Sequence, residues 1–298
     1  MIACFEWNQA STLASRRDGS IGAVTDSPYD PRLGIGGPLD PWCQYNLKTA
    51  FESEDNLKFV APFPPAKLMF ATTGLTKNWE FSSHGVDILR ALTQVSPVAL
   101  AGVGTLLEFG VGVGRVARMF KGFRGRYVGA DIDKRNVSWL AKAMPEFDAV
   151  RTAPRKPLPF DDETFEAIVS VSVFTHMTRA DHLFYLDELR RVAKPGAYIF
   201  LTVHGERDLS RATSEEKIFK MLSVERAELQ KAQESFARDD GYHFVQQGGH
   251  LTSADYTYGM TFISDRYIRR VWNGFFEILD INMGAIHNFQ DIVVMRRN

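Results

Sequence analysis

One short run of this sequence carries the residue types and spacing of a nucleotide-binding turn. It is Glu108-Phe-Gly110-Val-Gly112-Val-Gly114-Arg115, set between an apolar stretch and a helix-periodic one. Glycines at this spacing permit a tight turn and let a ligand approach the backbone. A following helix would offer free N–H groups to an anion. Asp131 comes 19 residues after Gly112, at the end of the next apolar stretch. A carboxylate there can accept hydrogen bonds from both hydroxyls of a ribose. Loop and acid together describe a nucleoside site without choosing the nucleoside, because Gly112-Val-Gly114-Arg-Val-Ala117 also satisfies the dinucleotide form GxGxxA.

A second group of residues can move protons. His176 and His204 follow the fourth and fifth apolar runs. Imidazole titrates near neutrality, so both are candidate general bases. The competing reading is that each ring hydrogen-bonds a loop backbone. His243, His250 and His287 are dispersed, and no spacing such as HxxxH suggests a metal site, so none is expected. Tyr242, Tyr256 and Tyr258 either line a pocket or anchor an irregular segment to the core.

These residues need a scaffold, and the chain supplies one from about residue 104. Apolar runs alternate with helical periodicity. Strands are expected at 105–109, 126–130, 147–151, 165–171 and 197–203. Helices are expected at Val113–Phe120, Lys134–Ala143 and Ala180–Val192. Short links between alternating strands and helices imply a doubly wound α/β fold with a mostly parallel sheet. Two last strands, Phe275–Ile281 and Asp291–Met295, are joined by about nine residues. That is too short for a helical crossover, so this pair must be antiparallel, which completes seven strands.

Residues 205–260 interrupt the alternation as an insertion after strand five. Thr213 and Glu216 have capping-box spacing. The polar helical stretch Glu215–Arg238 then breaks at Ser223 and gives way to an irregular Gly- and aromatic-rich piece. Ser264–Trp272 is helical. Residues 1–100 read as an N-terminal arm or lid. The first 65 are punctuated by Gly, Pro, Asp and Ser, and helical pieces lie at Trp42–Phe51 and His84–Gln94. The remaining domain is 101–298.

Composition narrows the function. The 298 residues are 45% hydrophobic and 24% charged, with 35 basic and 36 acidic side chains and a net charge of −1. A polyanion binder normally carries a basic excess, so nucleic acid is disfavoured as a partner. No apolar run approaches the roughly 18 residues of a membrane span, and no export signal opens the chain, so a cytoplasmic location is expected. The two cysteines, Cys4 and Cys43, fit reduced thiols, with one bridge between them as the option.

The region from about 105 to 298 resembles the class I S-adenosylmethionine-dependent methyltransferases. LLEFGVGVGR looks like their first motif and YVGADID like their second-strand motif. PLPFDDETFEAIVSVSVFTHM and LDELRRVAKPGAYIFLTVHG resemble their approaches to strands four and five, and QDIVVMRR their closing strand. The SVFTHM, TVHG and QDIVVMRR trio is similar to a bacterial subgroup associated with glycan or natural-product modification. The resemblance implies S-adenosyl-L-methionine as cofactor. It places Gly110, Gly112 and Gly114 against the amino-acid part and Glu108 at or beneath its ammonium. It gives Asp131 the ribose and Ile132 the adenine face. The adenine edge falls to Thr152-Ala153, and Ser172 and Val173 flank the sulfonium. Many relatives carry an acid at the end of strand three; here a backbone carbonyl must serve. The implied activity is methylation of a small-molecule, sugar or glycan acceptor, on oxygen rather than nitrogen, with His204 and His176 as candidate bases. Alternatives are a non-catalytic cofactor-binding module and a nicotinamide-dependent oxidoreductase, which would not be expected to end in that antiparallel pair.

Overall fold

A computed structural model describes residues 29–51, 58–238, 240–248 and 256–298. Three helices precede the sheet: α1 (Leu39–Thr49), α2 (Ala66–Thr73) and α3 (Asn78–Val95). The alternating region contains β1 (Thr105–Phe109), β2 (Arg126–Asp131), α4 (Lys134–Ala143), β3 (Asp148–Arg151), β4 (Phe165–Ser170), α5 (Arg179–Val192) and β5 (Ala193–Val203). The insertion contributes α6 (Glu206–Ser214), α7 (Glu216–Leu222), α8 (Arg226–Ala237), β6 (Tyr242–Gln246) and β7 (Gly259–Ile263). The chain closes with α9 (Asp265–Val271), β8 (Glu277–Ile286) and β9 (Gln290–Arg296).

Seven strands form one sheet in the order β3-β2-β1-β4-β5-β9-β8. β1 to β5 run parallel, and β9 lies antiparallel between β5 and β8. Successive residues of a strand face opposite ways, and each central strand feeds both layers. Leu106, Val169, Phe200 and Val294 meet α1, α3 and α4 through Trp42, Ile88, Leu89 and Leu140. Their neighbours Leu107, Ile168, Ile199 and Val293 meet α5 and α9 through Leu186, Leu189, Ile268 and Trp272. The front helices therefore share the core of the sheet. Trp42 is fully buried and its Nε1–H donates to the Met119 carbonyl at 2.8 Å. Truncating a buried aromatic of this size to Ala costs about 3–5 kcal/mol. The insertion forms a smaller cluster, in which Leu209, Ile218, Leu222 and Leu229 pack on Phe262 of β7.

Local chemistry sets the element ends. Asp133, Thr178 and Ser264 cap α4, α5 and α9, each side chain accepting from a first-turn N–H. Ser223 takes a left-handed conformation between α7 and α8, at the expected break.

Four expectations are corrected. The segment Val113–Phe120 is a series of turns ending in a 3-10 helix, Ala117–Phe120. Gly114 sits at φ +80° within it, and outside groups hold its end, as Trp42 does at Met119. No capping box forms at Thr213, whose hydroxyl donates back to Leu209 O at 2.8 Å inside α6, and Glu215 is the residue that precedes α7. The irregular piece contains an antiparallel pair, β6 with β7. β8 extends through a bulge to Ile286, leaving three residues before β9 instead of nine. Cys43 is buried, and its optional partner Cys4 lies outside the described residues. Among those residues no helix is long and apolar enough to cross a membrane.

Candidate active site

The glycine loop leaves β1 and is tied to the end of β2, with Gly110 and Val111 donating to Ala130 O at 2.8 and 3.0 Å. Gly110 has φ +81°, and a Cβ there would run into Val173. Gly112 has φ +55° and lies under Thr72 of α2. Only glycine meets both demands, left-handed backbone and close approach. The loop, Val173 after β4 and a helix of the front section are thus brought together.

Asp131 is the hub of this half. Its Oδ2 accepts from Gly112 N at 2.8 Å, and its Oδ1 from Asp133 N at 2.7 Å and Asn136 Nδ2 at 3.4 Å. A carboxylate has about four acceptor positions. Oδ2 keeps one, and the long bond from Asn136 can yield another, so the group is fixed in direction and still able to take two ribose hydroxyls. Desolvation raises Asp131 above the ordinary carboxylate range, against the hydrogen bonds that lower it. Thr72 Oγ1 donates to Asn136 Oδ1 at 3.2 Å, linking α2 to the same network.

Glu108 is buried on β1 and accepts a hydrogen bond from the Tyr127 hydroxyl. Burial pushes its carboxyl up to about 8, opposed by Tyr127 and the nearby Arg115 guanidinium. It is therefore mostly protonated at neutrality and responsive to any cation placed beside it. Ile132, Thr152 and Ala153 line a cleft of about 470 Å³ with Pro154, Arg151 and Lys156. No carboxylate lines it.

Across the sheet, Ser172 follows β4 with φ +57°, uncommon for a residue with a side chain. Two bonds hold it: its N–H donates to Thr202 Oγ1 at 2.7 Å, and Gln290 Nε2 donates to its Oγ at 3.0 Å. His176 lies in the next turn. Its Nδ1 is 2.9 Å from Gly259 O, and its ring stacks on Tyr258 at 4.7 Å between centroids. A carbonyl only accepts, so Nδ1 carries a proton, and in the neutral ring Nε2 holds the lone pair. The His204 ring is 6.5 Å away, 2% exposed, with Nδ1 at 2.6 Å from Asp208 Oδ2 and Phe262 and Phe289 against it. Burial holds His204 down to about 3 and raises Asp208 well above the carboxylate range.

The remaining singled-out residues do other work. Tyr242 is an anchor: its hydroxyl donates to Met177 O at 2.8 Å and Arg179 lies over its ring. His243 pairs with Glu228 on α8 at 2.9 Å, and His287 with Asp87 on α3 at 3.2 Å. His250 lies outside the described residues. Sequence reasoning missed Thr72, Tyr127, Asn136, Asp208 and Gln290. Of these only Asn136, five residues after Asp131, had a local signal. It also missed an acidic group, Glu206, Asp265 and Asp291. Burial pushes Asp291 up to about 8, reinforced by Asp208, Asp265 and Glu206.

Residues 107–201 match the family model described as a methyltransferase domain. A methyltransferase domain therefore occupies these residues. Among solved structures, the PH0226 protein from Pyrococcus horikoshii OT3 is 16% identical with a TM-score of 0.53, over 77% of this chain and 96% of that one. A SAM-dependent methyltransferase from Methanosarcina mazei is 14% identical with a TM-score of 0.45, over 65% and 92%. The glycopeptide N-methyltransferase MtfA, complexed with S-adenosyl-L-methionine, is 13% identical with a TM-score of 0.46, over 71% and 92%. Likeness at these identities is likeness of fold. The glycine loop, Asp131 and Glu108 form the candidate nucleoside site of this domain. Its sheet, mostly parallel with β9 reversed, has the α/β methyltransferase fold.

Proposed function

We propose that this enzyme methylates a hydroxyl of a small-molecule, sugar or glycan acceptor, with His176 as general base. The observation that carries the reading is the His176 Nδ1 hydrogen bond to Gly259 O, which in the neutral ring leaves the lone pair to Nε2, one turn beyond the strained Ser172. Ligands of open α/β sheets bind at the carboxyl ends of the strands, where both residues lie.

S-adenosylmethionine supplies an electrophilic methyl group on a sulfonium. On the protein side, Asp131 receives the ribose hydroxyls, Gly110, Gly112 and Gly114 admit the amino-acid part, and Glu108 meets its ammonium. Ile132 and Ala153 hold the adenine, with a backbone carbonyl serving its amino group. Ser172 and Val173 flank the sulfonium. His176 Nε2 would take the hydroxyl proton as the acceptor oxygen bonds to the methyl carbon and the sulfur–methyl bond breaks, leaving the neutral thioether S-adenosylhomocysteine, and would then release the proton to solvent. His204 with Asp208 braces the His176 side of the pocket, and Tyr258, Phe262 and Phe289 exclude water from it. In the front section α2 covers the cofactor, and α6, α7, α8, β6 and β7 of the insertion cap the acceptor side.

The test is methyl transfer from labelled cofactor to matched hydroxyl and amine acceptors. Label on oxygen, lost in His176→Ala with cofactor affinity retained, supports the reading. Label on nitrogen alone, or an unaffected His176→Ala rate, overturns it.

A further inference from the structure

Glu206, Asp265 and Asp291 take no part in the methyl-transfer reading. They come from three elements, the start of α6, the first residue of α9 and β9. One carboxylate oxygen of each lies within 4.8 Å of those of the other two. Asp291 is fully buried. Its Oδ1 accepts from Gly284 N at 2.7 Å, but its Oδ2 has no hydrogen-bond partner. Asp265 Oδ1 is likewise buried without a partner, while the Asp265 N–H donates to Glu206 Oε1 at 3.0 Å. Buried polar atoms are nearly always bonded, and two orphaned oxygens on carboxylates of one cluster call for a positive partner. The largest charge effects on Asp291 come from Asp208, Asp265 and Glu206, all of its own sign, whereas Arg269 acts on Asp265 and Arg266 on Glu206.

We propose that Glu206, Asp265 and Asp291 bind one hard divalent cation, which clamps α6 and α9 to β9. An all-oxygen donor set selects calcium, magnesium or manganese over softer ions. Two oxygens bound to one calcium are at most about 4.6–5.2 Å apart, and to magnesium about 4.2 Å. Three oxygens evenly spaced around one ion lie at most about 4.0–4.5 Å apart for calcium and about 3.6 Å for magnesium, so a spacing of up to 4.8 Å leaves calcium the smaller contraction and magnesium the larger. Water fills the other positions, since magnesium and calcium both keep it readily. The ligands come from distant segments, so no local spacing motif announces the site.

The test uses the full chain after chelator treatment, with separate titrations of CaCl2, MgCl2 and MnCl2 followed by calorimetry and by melting temperature. The expected result is one ion per chain and a melting temperature raised by several degrees at millimolar cation. Asp291→Asn weakens ion binding about ten-fold or more, with cofactor affinity unchanged. If Asp291→Asn does not fold, Glu206→Gln at the start of α6 serves, with the same direction of change. The tightest ion identifies the source of the chemistry. Absence of binding and of any shift with all three salts overturns the proposal, as does an affinity equal to wild type in the variants. Neither outcome depends on the identity of the methyl acceptor.

Discussion

The two halves of the site are built differently. Most of the half proposed for the cofactor runs from Glu108 to Ala153 in one stretch, and its key bonds come from backbone N–H groups, Gly112 and Asp133 onto Asp131. The half proposed for the acceptor gathers His176, His204, Asp208, Tyr258 and Gln290 from five separate elements and loops, held largely by side-chain contacts. Backbone-built sites demand glycine and an acid at fixed spacing. Side-chain-built sites demand only that the fold converge.

The first way to break this comparison is at the base. His176→Ala should lower kcat by about 10²–10⁴-fold, the usual worth of a positioned general base, and leave cofactor affinity intact. A loss of cofactor binding instead would mean that the halves are not separable. Asp131→Ala should weaken cofactor binding by about 1–3 kcal/mol, the cost of deleting a hydrogen-bonded charged partner, as read by calorimetry. Equal affinity would remove Asp131 from the ribose.

Glu108 gives a smaller effect with a definite sign. Its carboxyl is raised from 4.5 to about 8 in the folded protein. That contribution to stability is complete below pH 4.5 and is lost as pH rises through 8. The melting temperature of the ligand-free protein should therefore fall across this window, and Glu108→Gln should flatten the fall. Within the same window, cofactor binding should release up to about one proton, read by calorimetry in two buffers of different ionisation enthalpy. The smallest effect belongs to Thr72→Ala. It removes one neutral hydrogen bond to Asn136 and should weaken cofactor binding by about 0.5–1.5 kcal/mol.

The contrast also explains what could be read in advance. The seven strands, their order of appearance and the reversed last pair were legible because each is an apolar run bounded by turn residues. Gly110, Gly112, Gly114 and Asp131 were legible because backbone geometry restricts those positions to few residue types. The 3-10 segment Ala117–Phe120 was not, since its apolar pattern fits a helix and only contacts from Trp42 and α2 decide otherwise. Asp208 and Gln290 were not, because a single polar residue in a helix or strand carries no sign of its partner 4 or 118 positions away.

The placement of β9 has a temporal consequence. Tyr198 of β5 pairs with Arg296 of β9 across the whole insertion, whereas Thr105 of β1 pairs with Arg126 of β2 after a crossover of residues 110–125. Closing a longer loop costs more entropy, and non-local pairing slows folding. In pulse-labelled hydrogen exchange during refolding, amides of β1 and β2 should gain protection before those of β9; simultaneous protection would refute this order. Because Gln290, the partner of Ser172, arrives with β9, the refolding chain assembles the half proposed for the cofactor before the half proposed for the acceptor is complete.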